Sequence, residues 1–141
     1  FNFSQVRWLR VILAAVSIPV LVFLFGTPVV TAYAFQLAFA ARGAPDQNAI
    51  VQFAQTTVPL LSPWLSALTA LLVTWLVTRS LGAAAMTNAI AIGIATGLLL
   101  FGLEALRGNF VAALVDLIAP LVGSLFAGWL NQRRVRAQSA L

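Results

Sequence analysis

Three acidic side chains occur in the 141 residues: Asp46, Glu104 and Asp116. Only Asp116 falls inside a long apolar run, so it alone must be reconciled with apolar surroundings. An Asp at the centre of a membrane helix costs about 2.5–3.5 kcal/mol on insertion, so such residues face the bundle interior and carry a role. Three chemistries are open to it: hydrogen-bonding glue between helices, an ion or proton site in a conduit formed between subunits, or a contact for a ligand, lipid or partner. Asp116 lies about 9 Å along a helix from Phe110, in one half of its run rather than at the midpoint. That depth lowers the cost.

At 100° per residue, Ala112, Ala119, Pro120, Gly123 and Ala127 fall within about 60° of Asp116. Leu114, Leu117, Ile118, Leu121, Leu125 and Trp129 take the opposite side, which suits lipid. The preceding apolar run carries a matching stripe of Ala85, Ala89, Gly93 and Gly97. Small residues let helix backbones approach closely, which drives association where lipid is as apolar as leucine. The two stripes predict a tight hairpin with Asp116 turned inward toward Thr96, at nearly the same depth. Tyr33 and Gln36 are candidates to complete its hydrogen bonds. Asn88 is the other intramembrane polar candidate, hard to hide from lipid and best read as an interhelical hydrogen bond.

The absences exclude much chemistry. Without Cys there is no disulfide, thiolate metal site or iron–sulfur cluster. Without His the commonest transition-metal ligand, haem ligand and proton shuttle are missing. Without Lys no Schiff base can form. No catalytic residue, metal site or cofactor is expected. All eight cations are arginines and the net charge is +5, yet they sit at the ends of apolar runs and form no basic stripe with interleaved aromatics. Nucleic acid is not an expected partner.

With 62% apolar and 8% charged residues, against about 45–50% and about 25% in a soluble domain, the chain reads as an integral membrane protein. A span needs about 20 apolar residues. Four runs qualify, at about 11–41, 59–79, 81–103 and 110–131, in one transmembrane domain covering 1–141. Placing the N-terminus in the cytoplasm puts Arg7, Arg10, Arg79, Arg133, Arg134 and Arg136 inside, and only Arg42 and Arg107 outside. Four spans then return the C-terminus to the cytoplasm. Trp8, Trp64 and Trp129 are expected at span ends as interfacial anchors. The first run is far longer than the 7–15 apolar residues of a signal peptide, which favours a span over a cleaved leader.

Two runs exceed a bilayer. The first either tilts and projects, or breaks at Gly26-Thr27-Pro28 with Thr27 capping a new helix. Before the second, Asp46 is expected to cap a short interfacial helix at about 46–58. Asn48, Gln52, Gln55 and Thr56 form its wet face, and Ser62-Pro63 starts the span proper. Residues 132–141 read as a basic cytoplasmic tail beside anionic headgroups.

The expected fold is therefore all-α, a polytopic four-transmembrane-helix bundle with a short extra interfacial helix after the first span. Its general look resembles four-helix bacterial membrane proteins whose last span ends in an arginine-rich tail, and Ala with Arg but no Lys points to the inner membrane of a high-GC bacterium. The leading expectation for function is a non-catalytic membrane subunit or scaffold, packing against other membrane protein subunits, membrane lipids or itself as a homo-oligomer. The alternatives are a homo-oligomeric channel or proton-coupled small transporter using Asp116, and a lipid- or pigment-binding accessory protein.

Overall fold

The computed structural model describes residues 3–138. Four α-helices occur among them: α1 (Trp8–Ala41), α2 (Gln47–Thr78), α3 (Ala85–Leu106) and α4 (Phe110–Gln138). Single 3-10 turns precede α1 (Phe3–Gln5) and α3 (Gly82–Ala84). Each of the four helices is long and apolar enough to cross a membrane, and no strand occurs among the described residues. Short connections make chain neighbours antiparallel. The start of α1, the α2–α3 turn and the end of α4 therefore share one end of the bundle, the terminal end. The turns at 42–46 and 107–109 lie at the far end.

The first apolar run does not break. α1 is one helix of 34 residues through Gly26-Thr27-Pro28. Thr27 caps nothing: its hydroxyl donates back to the Phe23 carbonyl at 2.8 Å, and Thr31 does the same to Thr27 at 3.0 Å. A proline inside a helix removes one hydrogen bond, whereas a break would strip four N–H and four C=O groups in an apolar setting. Continuity is the cheaper solution.

The same reasoning corrects the expectation of a separate interfacial helix. Asp46 does cap a helix, accepting from the Asn48 N–H at 2.9 Å, but that helix is α2 itself, 32 residues running through Pro59 and Pro63. Residues 47–58 are its first turns. Asn48, Gln52, Gln55 and Thr56 are exposed there, while Ile50, Phe53 and Ala54 are half-buried. At the other end of the chain, Arg133, Arg134 and Arg136 belong to α4, which continues to Gln138; residues 139–141 of the expected basic tail lie outside the described residues, as do residues 1 and 2.

The core sits toward the terminal end. Val6, Val11, Ala14 and Ile18 pack with Ala70, Ala91 and Ile92. All buried residues of α1 lie between Val11 and Ile18, so its second half leaves the bundle. At 1.5 Å per residue α1 and α2 are about 51 and 48 Å long and α3 about 33 Å. The α1–α2 hairpin therefore runs on past the α3–α4 turn as a two-helix arm, closed by a stack of Tyr33 on Phe53 (centroids 3.9 Å apart, planes at 12°).

Candidate functional site

The small residues decide how the helices meet, though not in the way their stripes suggest. Gly93 and Gly97 of α3 do not face the small side of α4. A Cβ on Gly93 would come within 3.0 Å of Leu121 Cα, and one on Gly97 within 2.6 Å of the Leu117 carbonyl oxygen. The α3 glycines thus receive the leucines expected to face lipid. The small side of α4 turns instead to α2, where a Cβ on Gly123 would land on the Ala67 carbonyl. Ala85, Ala89 and Ala127 are fully buried and Ala112 half-buried. Gly128, absent from the expected set, packs on Ala89 and Met86.

This rotation of α4 fixes the surroundings of Asp116. Its side chain is 8% exposed and sits beside the Ser62 hydroxyl of α2. Thr96, the expected partner, is fully buried on α3, and its hydroxyl has no hydrogen-bond partner among the described residues. Tyr33 is stacked on Phe53 in the arm, and Gln36 is exposed. Neither reaches the carboxyl. The structure brings Asp116 to Ser62, with no hydrogen bond to Thr96, Tyr33 or Gln36.

Because the Thr96 hydroxyl is buried without a partner, Thr96→Val is expected to leave stability unchanged or raise it by about 1 kcal/mol. Unfolding in mixed micelles reads this. A clear loss of stability would restore an Asp116–Thr96 bond.

A cavity of about 610 Å³ opens where the two hairpins diverge. Phe23 of α1, Ser62 of α2, Leu103 and Glu104 of α3 and Asp116 of α4 are among its lining residues. Arg107, also in the lining, holds Glu104 at 2.6 Å. No such pair joins Asp116 to an arginine among the described residues. Asp116 therefore has no cationic partner there. Among the described residues no group of three or more His, Cys, Asp or Glu could hold a metal ion.

Below the cavity a polar ladder joins α2 to α4. Thr74 and Ser124 hydroxyls lie 3.0 Å apart. The Asn131 amide donates to the Trp75 carbonyl at 3.1 Å and to the Thr78 hydroxyl at 2.9 Å. Ser124 and Asn131 were missed in the sequence, although both lie within about 80° of Asp116 on the helical wheel; a sector widened from about 60° to about 80° finds Ser124, and a wheel extended past Ala127 finds Asn131. Ser62 was missed because it was read as a helix cap. Asn88 is buried and ties the chain start to α3: it accepts from the Arg7 N–H at 2.8 Å and donates to the Gln5 carbonyl at 3.0 Å.

Aromatic residues mark the terminal end. Arg133 lies over the Trp129 ring at 3.9 Å and Arg134 over Trp75 at 5.2 Å, and Trp8 is exposed there. Trp64, expected from the sequence at a span end, lies within α2. Ser62 pairs with Asp116 and Ala67 with Gly123, which sets Trp64 level with about the middle of the apolar stretch of α4, its ring facing outward.

Against family models, the curated proteins and the solved structures, the chain finds no match. The functional reading therefore rests on this geometry.

Proposed function

We propose that the chain is a non-catalytic integral membrane subunit, with both termini and the arginine-rich end of α4 on the cytoplasmic side of the cell membrane, whose α1–α2 arm packs against another membrane protein. The observation that carries this is the arm. Burying all of α1 in a hydrocarbon core about 30 Å thick would take a tilt of about 54°, beyond the range of 0–40° that membrane helices adopt. Part of the arm thus projects past the core. On that part Phe35 is 64% and Phe39 84% exposed, one turn apart on one side of α1. The stack of Tyr33 on Phe53 already fills the inside of the hairpin, so these two rings face outward with nothing among the described residues to cover them. Apolar patches of this kind mark interaction sites, and helix faces rich in phenylalanine suit another apolar helix.

The arginine positions support the orientation, and the arginine–tryptophan pairs at the terminal end suit a headgroup boundary. The test is the mass and composition of the complex released from native membranes in mild detergent. Stoichiometric other subunits, lost on Phe35→Ser/Phe39→Ser replacement, are the expected result. A lone monomer overturns the proposal. A closed homo-oligomer would favour the second reading, a conduit between subunits using Asp116, which draws on the placement of that carboxyl at a cavity.

A further inference from the structure

We infer that the cavity between the two hairpins is a binding site for a lipophilic organic monocation, with Asp116 as its counter-charge. The inference is independent of the subunit reading, since it concerns the inside of the wedge and not the outside of the arm.

The volume of about 610 Å³ falls within the range of about 300–1,000 Å³ typical of small-molecule pockets. Most of the wall is apolar, with Phe23, Leu65, Leu100 and Leu103 contributed by three different helices. Such a wall selects an apolar body. The charge inside is equally defined. Glu104 is already neutralised by Arg107 at 2.6 Å, which leaves Asp116, 8% exposed and without a cationic partner among the described residues, as the one uncompensated acid of the chamber. Proton uptake, further hydrogen bonds or a counter-charge can each reconcile a carboxyl with such burial. A single positive charge on an apolar body satisfies the carboxylate and the wall together.

Two further groups add acceptors. The Ser62 hydroxyl stands beside the carboxyl. The carbonyl of Pro59, also a lining residue, has no helical N–H to accept because residue 63 is proline. The lining therefore holds one acid without a partner cation, and its one cation, Arg107, is engaged by Glu104. A zwitterionic phospholipid headgroup would bring a phosphate for which the one cation of the lining, Arg107, is already engaged, so the fitting occupant carries one net positive charge.

The test is equilibrium dialysis of labelled tetraphenylphosphonium against the full chain in uncharged detergent, with protein-free micelles as the blank. Saturable binding of one cation per chain is expected. Asp116→Asn should weaken it about tenfold to a hundredfold, the usual range for losing a charged partner. Labelled tetraphenylborate, of similar shape and opposite charge, should not bind above the blank when dialysed on its own. Leu100→Trp fills the chamber and keeps the carboxyl, and should abolish binding; it carries the test if Asp116→Asn does not stay monodisperse. Binding no greater than to micelles, equal binding by Asp116→Asn and Leu100→Trp, or equal binding of tetraphenylborate would each overturn the inference.

Discussion

Gly123→Ala is expected to destabilise the protein by about 3 kcal/mol or more, the upper part of the range for overpacking. The added methyl would meet the Ala67 carbonyl oxygen, the Ala67 carbonyl carbon at 3.0 Å and the Leu71 nitrogen at 3.1 Å. All three are backbone atoms of α2, so no rotamer change relieves the overlap. The helices must move apart, and the Thr74–Ser124 contact one turn below moves with them. Gly97→Ala should follow the same rule less severely, because its methyl would lie 2.6 Å from a single backbone oxygen, that of Leu117. Gly102→Ala and Gly26→Ala have the opposite sign. Nothing lies within 4 Å of either new methyl, and alanine in a helix interior gains up to about 1 kcal/mol over glycine. Unfolding in mixed micelles measures all four. Equal stability of Gly123→Ala and the parent would show that α2 and α4 do not meet in this register.

The glycine series also shows what one sequence can and cannot disclose. Four long apolar helices follow from composition and run length alone, because nothing else satisfies 62% apolar residues in a chain of this size. Asp46 as a cap was legible for the same local reason: an Asx side chain ahead of a helix accepts from an N–H two residues on. Helix continuity was not legible. Gly26-Thr27-Pro28 and Ser62-Pro63 have the residues of a stop and a start, but the environment decides whether a helix breaks there. An apolar surrounding penalises eight orphaned backbone groups far more than one missing bond.

The wheel around Asp116 shows the second limit. It separates a small side of α4 from a bulky one, and the small side is buried, with Gly123 and Ala127 fully enclosed. It cannot say which neighbour each side meets. Matching small stripe to small stripe put α3 against Gly123, and therefore Asp116 against Thr96. The structure interleaves instead, with leucines of α4 set over glycines of α3 and the α4 glycine set against the backbone of α2. Large side chains over small ones fill space where two small faces would leave it empty. That single choice turns Asp116 from Thr96 to Ser62, and from α3 toward the cavity.

Asn88→Ala is the other substitution expected to act strongly, lowering stability by about 2 kcal/mol. The side chain makes three hydrogen bonds with backbone groups: it accepts from Arg7 N–H at 2.8 Å and donates to the Gln5 and Ala84 carbonyls at 3.0 and 2.9 Å. Truncation costs unequally. The Ala84 carbonyl, at the N-cap of α3, still accepts the first N–H of the helix, and the exposed Gln5 can turn its carbonyl to water. The Arg7 N–H sits directly before α1, which has no side-chain cap at that end, so its loss frees the first turn of the helix. Val6 and Val11, core members on either side of Arg7, are then held by packing alone. The effect should be local as well as global. The Arg7 amide should exchange with solvent much faster in Asn88→Ala, while amides of α3 and α4 around Gly93 and Leu121 keep their protection. Asn88→Asp tests the donor half: a carboxylate still accepts from Arg7 but cannot donate to Gln5 or Ala84, so it should restore the Arg7 protection and leave the stability low. Unchanged exchange at Arg7 in Asn88→Ala would mean that the chain start is held by its apolar side chains, with the asparagine incidental.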